Sequence, residues 1–477
     1  MRLISLIFLI FAYAFGQSPM KVDGIWLGAL EGGGQKLRIQ LHVQSDAAGK
    51  VTVSLDSLDQ GAAGIPCENA KLAGDQFSFD VPVVKGSWTG ILSADGKELK
   101  GIWTQGGGST ALGMTRQSSA TALSKPTPKY DAKAPVTLDQ LKQILDADLA
   151  VELKSGSLSP ETSGGVVIGV IQHGKRKILT YGPVNGDSIF EIGSISKTFT
   201  GLILAQMVAQ KQVAFDQPLR DFLPPGTVTK PAGAEITLLD LATQHSGLPR
   251  LPDNLALANT TDPYADYSPQ KLYEFLKKQG VGKPEHTEFL YSNLGVGTLG
   301  QALVNKAGIG YPELLKKEVT GPLGMNDTAV KLSTEQEKRF APGHNGANKV
   351  VSGWAFDALA GAGGIRSTAA DMLTYLEAQL HPSETIEAAI KATHELRDDA
   401  LPGMKIGLAW LFIPKINSYW HNGATGGYSS YALFSPTEDY GVIVLYNHTI
   451  TNTGSFADRL GEHVAERLSG RPALVLE

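Results

Sequence analysis

Cysteine is nearly absent. Cys67 is the single cysteine among 477 residues, so no internal disulfide can form. Lying far from every motif below, it reads as a small buried hydrophobe rather than a nucleophile. Charge is sparse as well: 19% of residues are Asp, Glu, Lys or Arg, with a formal net charge of −5. No basic run interleaves with aromatics, which excludes a nucleic-acid partner recognised through charge. Metal-ligand spacing such as H-E-x-x-H does not occur, and no phosphate loop or dinucleotide fingerprint sits between a strand and a helix. No metal and no cofactor are therefore expected. The G-x-S-x-G elbow is missing too, which argues against an α/β-hydrolase. Beyond the first residues no apolar run is long enough to cross a bilayer.

The one apolar run runs from Leu3 to Phe15, with Arg2 the only charge before it. It is too short to span a membrane. Ala14-Phe15-Gly16 places small residues at −3 and −1 before Gln17, which suits signal-peptide cleavage and export, to a periplasmic or secreted location. The segment 1–16 is thus read as a signal peptide. The absence of a cysteine after it excludes lipid attachment at that point.

A chain of 477 residues exceeds what one hydrophobic core usually serves, so two domains are expected. Residues 17–116 read as an all-β domain. Leu37, Ile39, Leu41 and Val43 alternate along one strand, and Val51–Leu55 and Phe77–Val81 repeat the pattern. Asp95-Gly96 between two such runs marks a hairpin. Gly24-Ile-Trp26, Gly86-Ser-Trp88 and Gly101-Ile-Trp103 echo one another. The tryptophans read as core anchors, the alternative being a ligand-binding mouth. About eight short strands suggest a lipocalin-like barrel or a closely curled sheet.

Residues 117–135 read as a linker, with Pro126, Pro128 and Pro135 and little apolar content. From residue 136 to 477 a second domain follows. Thr137 caps a helix carrying Leu138, Leu141, Ile144 and Leu145 at helical spacing. Strands are expected at Gly165–Gln172 and Arg176–Tyr181, and again at Ile406–Ile413, Ser418–Asn422, Ser429–Phe434 and Tyr440–Tyr446. A mostly helical stretch lies between the two groups, and a last helix covers Ser455–Leu468. Strands at both ends with helices between predict an α+β fold: one antiparallel sheet covered by a helical insertion.

Three short signals carry chemistry. Ser194-Ile-Ser-Lys197 is an S-x-x-K, and on a helix i and i+3 share a face, which sets the Lys amine beside the Ser hydroxyl. Burial disfavours a charged ammonium, so such a Lys can serve as a base. A Ser at a helix N-terminus also has backbone N–H groups to receive an oxyanion. Ser268-Pro-Gln-Lys271 fits the same four-residue pattern but lacks its flanks. Tyr291-Ser-Asn293 is the second signal, 97 residues after Ser194. A phenol held near an ammonium is easier to ionise and can relay a proton. His421-Asn-Gly423 followed by Ala424 is the third, between two strands, and a Gly there admits close approach to the strand backbone. A second copy, His344-Asn-Gly346, has no strand before it and reads as a loop. His245, before Ser246-Gly247, reads as helix-end chemistry rather than half of a Ser–His pair.

The octapeptide Phe190-Glu-Ile-Gly-Ser-Ile-Ser-Lys197 resembles the active-site signature of class C β-lactamases. S-x-x-K, Y-x-N and H-x-G stand in the order of that penicillin-recognising family, and Ile236–Pro249, Gly321–Met325 and Gly363–Asp371 are similar to it as well. The resemblance covers about Val136 to Leu468. It implies a β-lactamase/transpeptidase-like domain and an acyl-enzyme mechanism. In it Ser194 is the nucleophile, Lys197 and Tyr291 move protons, Asn293 contacts the substrate amide, and the N–H groups of Ser194 and Ala424 hold the oxyanion. His421 and Gly423 occupy the strand that edges the active site. The sequence departs from the class C pattern there: His421 replaces Lys and Asn422 replaces Thr. His is largely neutral at pH 7, so the usual cation for a substrate carboxylate is missing. The expected substrate is a β-lactam or a D-Ala-D-Ala peptide. The alternatives are an esterase or D-amino-acid peptidase on the same scaffold, and a penicillin-binding sensor that acylates without turnover.

Overall fold

The computed structural model describes residues 22–32, 35–46, 49–60, 62–105, 108–121, 130–131, 136–154, 158, 164–255, 262–451 and 454–476. The expected signal peptide and the three linker prolines lie outside the described residues. The chain divides into two compact units, residues 1–126 and 127–477.

The first unit is one antiparallel sheet of nine strands rather than about eight. They are β1 (Gly24–Gly32), β2 (Gln35–Ser45), β3 (Val51–Ser57), β4 (Ala62–Pro66), β5 (Glu68–Ala73), β6 (Gln76–Val81), β7 (Gly86–Leu92), β8 (Glu98–Gln105) and β9 (Gly108–Gln117). The order β4-β3-β2-β1-β9-β8-β7-β6-β5 leaves β4 and β5, neighbours in sequence, at opposite edges. The sheet curls nearly closed, and the Cys67 N–H between them donates to Val53 O at 3.1 Å. Period-two alternation explains the interior: Ile39, Leu41, Val43, Phe77, Phe79 and Val81 all point into it. The repeated tryptophans are core anchors. Trp26, Trp88 and Trp103 are buried, and the indole N–H groups of Trp26 and Trp88 donate to the carbonyls of Val22 and Leu112. Asp95-Gly96 makes the expected hairpin, with Gly96 at φ +68°. Cys67 is half-buried, and desolvation pushes its thiol up to about 12, which leaves it inert at neutral pH.

The second unit has an antiparallel sheet of eight strands drawn from both ends of the domain. Its order is Lys175–Tyr181, Val166–Gln172, Tyr440–Tyr446, Ser429–Ser435, Ser418–Ala424, Leu411–Ile413, Lys405–Ile406 and Asp398–Asp399. Both faces are covered, so the central strands read as continuous apolar runs. Val166, Ile168, Val170, Val442 and Val444 pack on one face with the helices Leu138–Asp148 and Phe456–Ser469. Val167, Ile171, Ile443 and Leu445 face the helical insertion. Thr137 forms the predicted N-terminal cap, reciprocally with Gln140.

Two expectations are corrected. The run Ile406–Ile413 is not one strand, because the chain breaks between Ile406 and Leu411. Ala409 there takes φ +66° and its N–H turns to the carbonyl of Ala242. His344 is not in a loop: Gly343–His344 pairs with Val350–Val351. The His344 backbone N–H donates to Asn447 O at 3.0 Å, which seats this short pair at the end of a central strand.

Candidate active site

Phe190–Glu191 pairs with Arg366–Ser367, and the chain then enters a single 3-10 turn, Gly193–Ile195. The helix Ser196–Ala209 begins directly after it. Gly193 takes φ +50°, which favours glycine, and a β-carbon there would lie 2.6 Å from the backbone nitrogen of Ala424. A β-carbon on Gly423 would overlap the carbonyl of Ile192. Ser430 Oγ donates to the same carbonyl at 2.9 Å. These close approaches press the nucleophile turn against the strand Ser418–Ala424. The Ala424 backbone nitrogen is thereby brought against the Gly193–Ser194 backbone. That strand pairs with Leu411–Ile413 only through residues 418–420, leaving its edge from His421 to Ala424 open on that side.

Lys197 is fully buried on the first turn of the helix. Its Nζ lies 3.0 Å from Ser194 Oγ and donates to the carbonyl of Ala362 at 2.6 Å. Burial, helped by the charge of Arg250, holds its ionisation well below the usual lysine range and so shifts it toward the neutral amine. Ser194 itself is only half-buried and open to approach.

Tyr291 precedes the helix Asn293–Ala307, whose N-cap is Ser292. Its ring centre lies 4.8 Å from Lys197 Nζ and 6.3 Å from the His421 ring. Desolvation pushes the phenol up to about 12, outweighing the downward pull of a hydrogen bond with Ser194 and of Arg250. The expectation that a neighbouring ammonium would ease its ionisation is outweighed here: burial dominates. Tyr291 is therefore protonated at neutral pH. Asn293 donates from Nδ2 to Tyr264 Oη at 3.3 Å, while its buried Oδ1 has no hydrogen-bond partner.

His421 is buried, and its Nδ1 lies 2.6 Å from the Asn422 carbonyl oxygen. Burial and the nearby Lys197 push it down to about 3, so it is neutral at physiological pH. Asn422 points the other way, donating to Asp458 at 2.6 Å on the helix Phe456–Ser469. The structure thus gathers Ser194, Lys197, Tyr291, His421, Gly423 and Ala424, with Asn293 at the rim.

The decoys fall elsewhere. Ser268 is the N-cap of the helix Pro269–Gln279 and accepts the Lys271 N–H. His245 follows a short helix, its Nδ1 2.7 Å from the Thr243 carbonyl oxygen. His344 contacts the Asn447 carbonyl and stacks on His448. Three contributors went unread in the sequence: the Ala362 carbonyl, Tyr264 and Arg250. The first lies one residue before the family-like stretch Gly363–Asp371 and Arg250 one residue after Ile236–Pro249, while Tyr264 carries no local motif.

The sequence model of the Beta-lactamase family matches residues 160–466. The chain belongs to the β-lactamase family. Its members act as serine hydrolases, and this chain is an enzyme of that class. Across 335 residues it is 27% identical to the beta-lactamase of Escherichia coli K12, covering 60% of this chain and 85% of that protein. It is 28% identical over 340 residues to the D-alanyl-D-alanine-carboxypeptidase/endopeptidase AmpH of the same organism, covering 65% and 86%. Among solved structures, the class C β-lactamase of Rhodobacter sphaeroides superposes with a TM-score of 0.56 at 25% identity, covering 68% of this chain and 96% of that one. A β-lactamase/D-alanine carboxypeptidase from Pseudomonas syringae shares the fold at 20% identity, with a TM-score of 0.58. The family match leaves the nine-stranded N-terminal unit outside it.

Proposed function

We propose that this β-lactamase-family chain is an exported hydrolase that cleaves β-lactams or D-Ala-D-Ala peptides through an acyl-enzyme on Ser194. The observation that carries the reading is the fully buried Lys197, 3.0 Å from Ser194 Oγ and held toward its neutral form. A neutral amine can accept the hydroxyl proton as Ser194 Oγ bonds to the substrate carbonyl carbon. Negative charge then develops on the carbonyl oxygen between the N–H groups of Ser194 and Ala424. The C–N bond breaks as the leaving nitrogen takes a proton from Tyr291, which Lys197 replenishes. Asn293 Oδ1, buried and unpartnered, suits a substrate amide N–H. Water then attacks the Ser194 ester carbonyl, the acyl C–Oγ bond breaks, and the water's proton passes through the same Lys197–Tyr291 pair to Ser194 Oγ. The N-terminal run ending at Gly16 supports export.

Ester hydrolysis is the second reading. It is favoured by His421, neutral where the family pattern has a Lys, since an ester substrate needs no carboxylate receptor. The test is an intact-mass time course with benzylpenicillin beside Ser194→Ala. A penicilloyl adduct that forms and clears supports lactam hydrolysis. An adduct that persists points to a slow peptidase or a sensor. No adduct on the wild type rejects β-lactam recognition and promotes the esterase reading.

A further inference from the structure

A β-lactam or a D-alanyl peptide carries a carboxylate on its leaving side, and His421, neutral at physiological pH, offers that carboxylate no positive charge. Arg250 lies within reach of the same place. It follows the Leu248-Pro249 turn, and its backbone carbonyl accepts the N–H of Asn293 at 3.0 Å and of Leu294 at 3.2 Å. Ser292 Oγ donates to the carbonyl of Pro249 at 2.6 Å. Residue 250 is therefore tied to the start of the helix that bears Tyr291 and Asn293. Its side chain reaches back so that the guanidinium carbon lies 5.1 Å from the centre of the Tyr291 ring. Its charge is felt at Lys197, Tyr291 and Tyr264 alike. The residue is exposed, and no carboxylate pairs with it among the described residues.

We infer that Arg250 is the receptor for the substrate's leaving-side carboxylate, replacing from a different element the cation that the strand Ser418–Ala424 does not supply. The inference rests on the acyl-enzyme reading of Ser194. A guanidinium is always charged and presents a planar fork that meets a carboxylate through two parallel hydrogen bonds. A stacked position over an aromatic ring keeps that fork oriented with little loss of freedom. The substrate class it selects is an acyl compound whose leaving group bears an acid: a peptide with a free C-terminus or a lactam acid, in preference to a neutral ester.

The experiment uses two phenylacetylglycyl phenyl esters that differ only in a meta carboxylate or a meta carboxamide on the leaving phenol. kcat/KM is measured for both with the wild-type protein, Arg250→Gln and Arg250→Lys. Taking the acid-to-amide ratio within each protein cancels any effect of Arg250 on Lys197. The ratio should fall at least tenfold in Arg250→Gln, mainly through KM, and less in Arg250→Lys. Added salt should lower it in the wild type but not in Arg250→Gln. A ratio unchanged in Arg250→Gln overturns the inference. Turnover of neither ester, or turnover surviving Ser194→Ala, would sink the acyl-enzyme reading instead. Binding of the same pair to Ser194→Ala, by calorimetry, then still decides Arg250: equal affinity for acid and amide overturns its role.

Discussion

The Nζ of Lys197 and the carbonyl oxygen of Ala362 lie 2.6 Å apart, closer than the 3.0 Å from Nζ to Ser194 Oγ. A neutral amine has two N–H donors and one lone pair. One donor is committed to Ala362, which holds Nζ within hydrogen-bond reach of Ser194 Oγ. The backbone of the insertion thereby holds the amine beside Ser194, and the desolvated setting shifts that amine toward its neutral form.

Lys197→Met should therefore separate catalysis from stability. Acylation of Ser194 should fall by about 10³-fold, the scale of a lost general base. The folded protein should become more stable near pH 7, by a few degrees in Tm at roughly 1 kcal/mol, since a buried amine is replaced by an apolar chain. The sign follows from proton counting. Free lysine titrates near 10.4, and in the folded protein Lys197 titrates well below that. Between those limits the unfolded chain binds more protons, so wild-type stability climbs with pH and is lost as pH falls through the folded value. The advantage of Lys197→Met should shrink as pH approaches 10. Thermal melts across pH 6 to 10 check this, and a constant difference would contradict a neutral buried amine.

Gly423→Ala tests the close approach of strand and turn. The added methyl would overlap the Ile192 carbonyl, so the strand must move away from Ser194 and take the Ala424 N–H with it. The expected loss in kcat is about 10²- to 10³-fold, that of one oxyanion donor. An overpacking cost of about 1–3 kcal/mol should appear in urea unfolding. That stability cost with kcat intact would show that the Ala424 N–H is not needed.

The parts legible in the sequence are those written in short-range spacing. S-x-x-K is readable because three residues on a helix make Ser194 and Lys197 neighbours, and Tyr291 and Asn293 flank one N-cap. Strand alternation and the Thr137 cap gave the sheet and the first helix for the same reason. Arg250, Ala362 and Tyr264 were not legible because they reach the site through contacts across 29 to 165 positions of chain, with no periodicity to announce them. The ionisation of Tyr291 was misread because a neighbour's charge is visible in a motif, whereas burial is a property of the whole fold. The split of Ile406–Ile413 was hidden likewise: the run is apolar throughout, and only packing of Ala409 against Ala242 interrupts it.

Asp148 joins the two ends of the second unit. It accepts Arg467 Nε at 2.9 Å and faces His463 Nε2 at 2.9 Å, tying the helix Leu138–Asp148 to Phe456–Ser469. Asp148→Ala leaves a buried Arg467 without its partner, a change that costs about 3–5 kcal/mol. Although burial alone would raise it, hydrogen bonds from Arg467 and His463 hold the Asp148 carboxylate below its ordinary value. Its stabilisation is thus present above that ordinary value and lost as pH falls through the lower folded one. Urea midpoints of wild type and Asp148→Ala should converge in that acid window and differ above it, while kcat of the folded variant stays near wild type.

His421 supplies the last prediction, because its environment decides what a histidine in place of a lysine can do. Burial and Lys197 push it down to about 3, so between pH 5 and 8 it carries no charge and cannot act as a titrating carboxylate receptor. The acid-to-amide preference for leaving-group carboxylates should then be flat across that range. His421→Gln, which keeps hydrogen bonding but cannot ionise, should leave the shape of the pH profile unchanged and lower kcat/KM by about tenfold through altered packing beside Tyr291. A wild-type preference for the acid that rises below pH 6.5 and disappears in His421→Gln would show a protonated imidazole at work. The positive charge of this site would then belong to His421 on the strand rather than to Arg250 beside the Tyr291 helix.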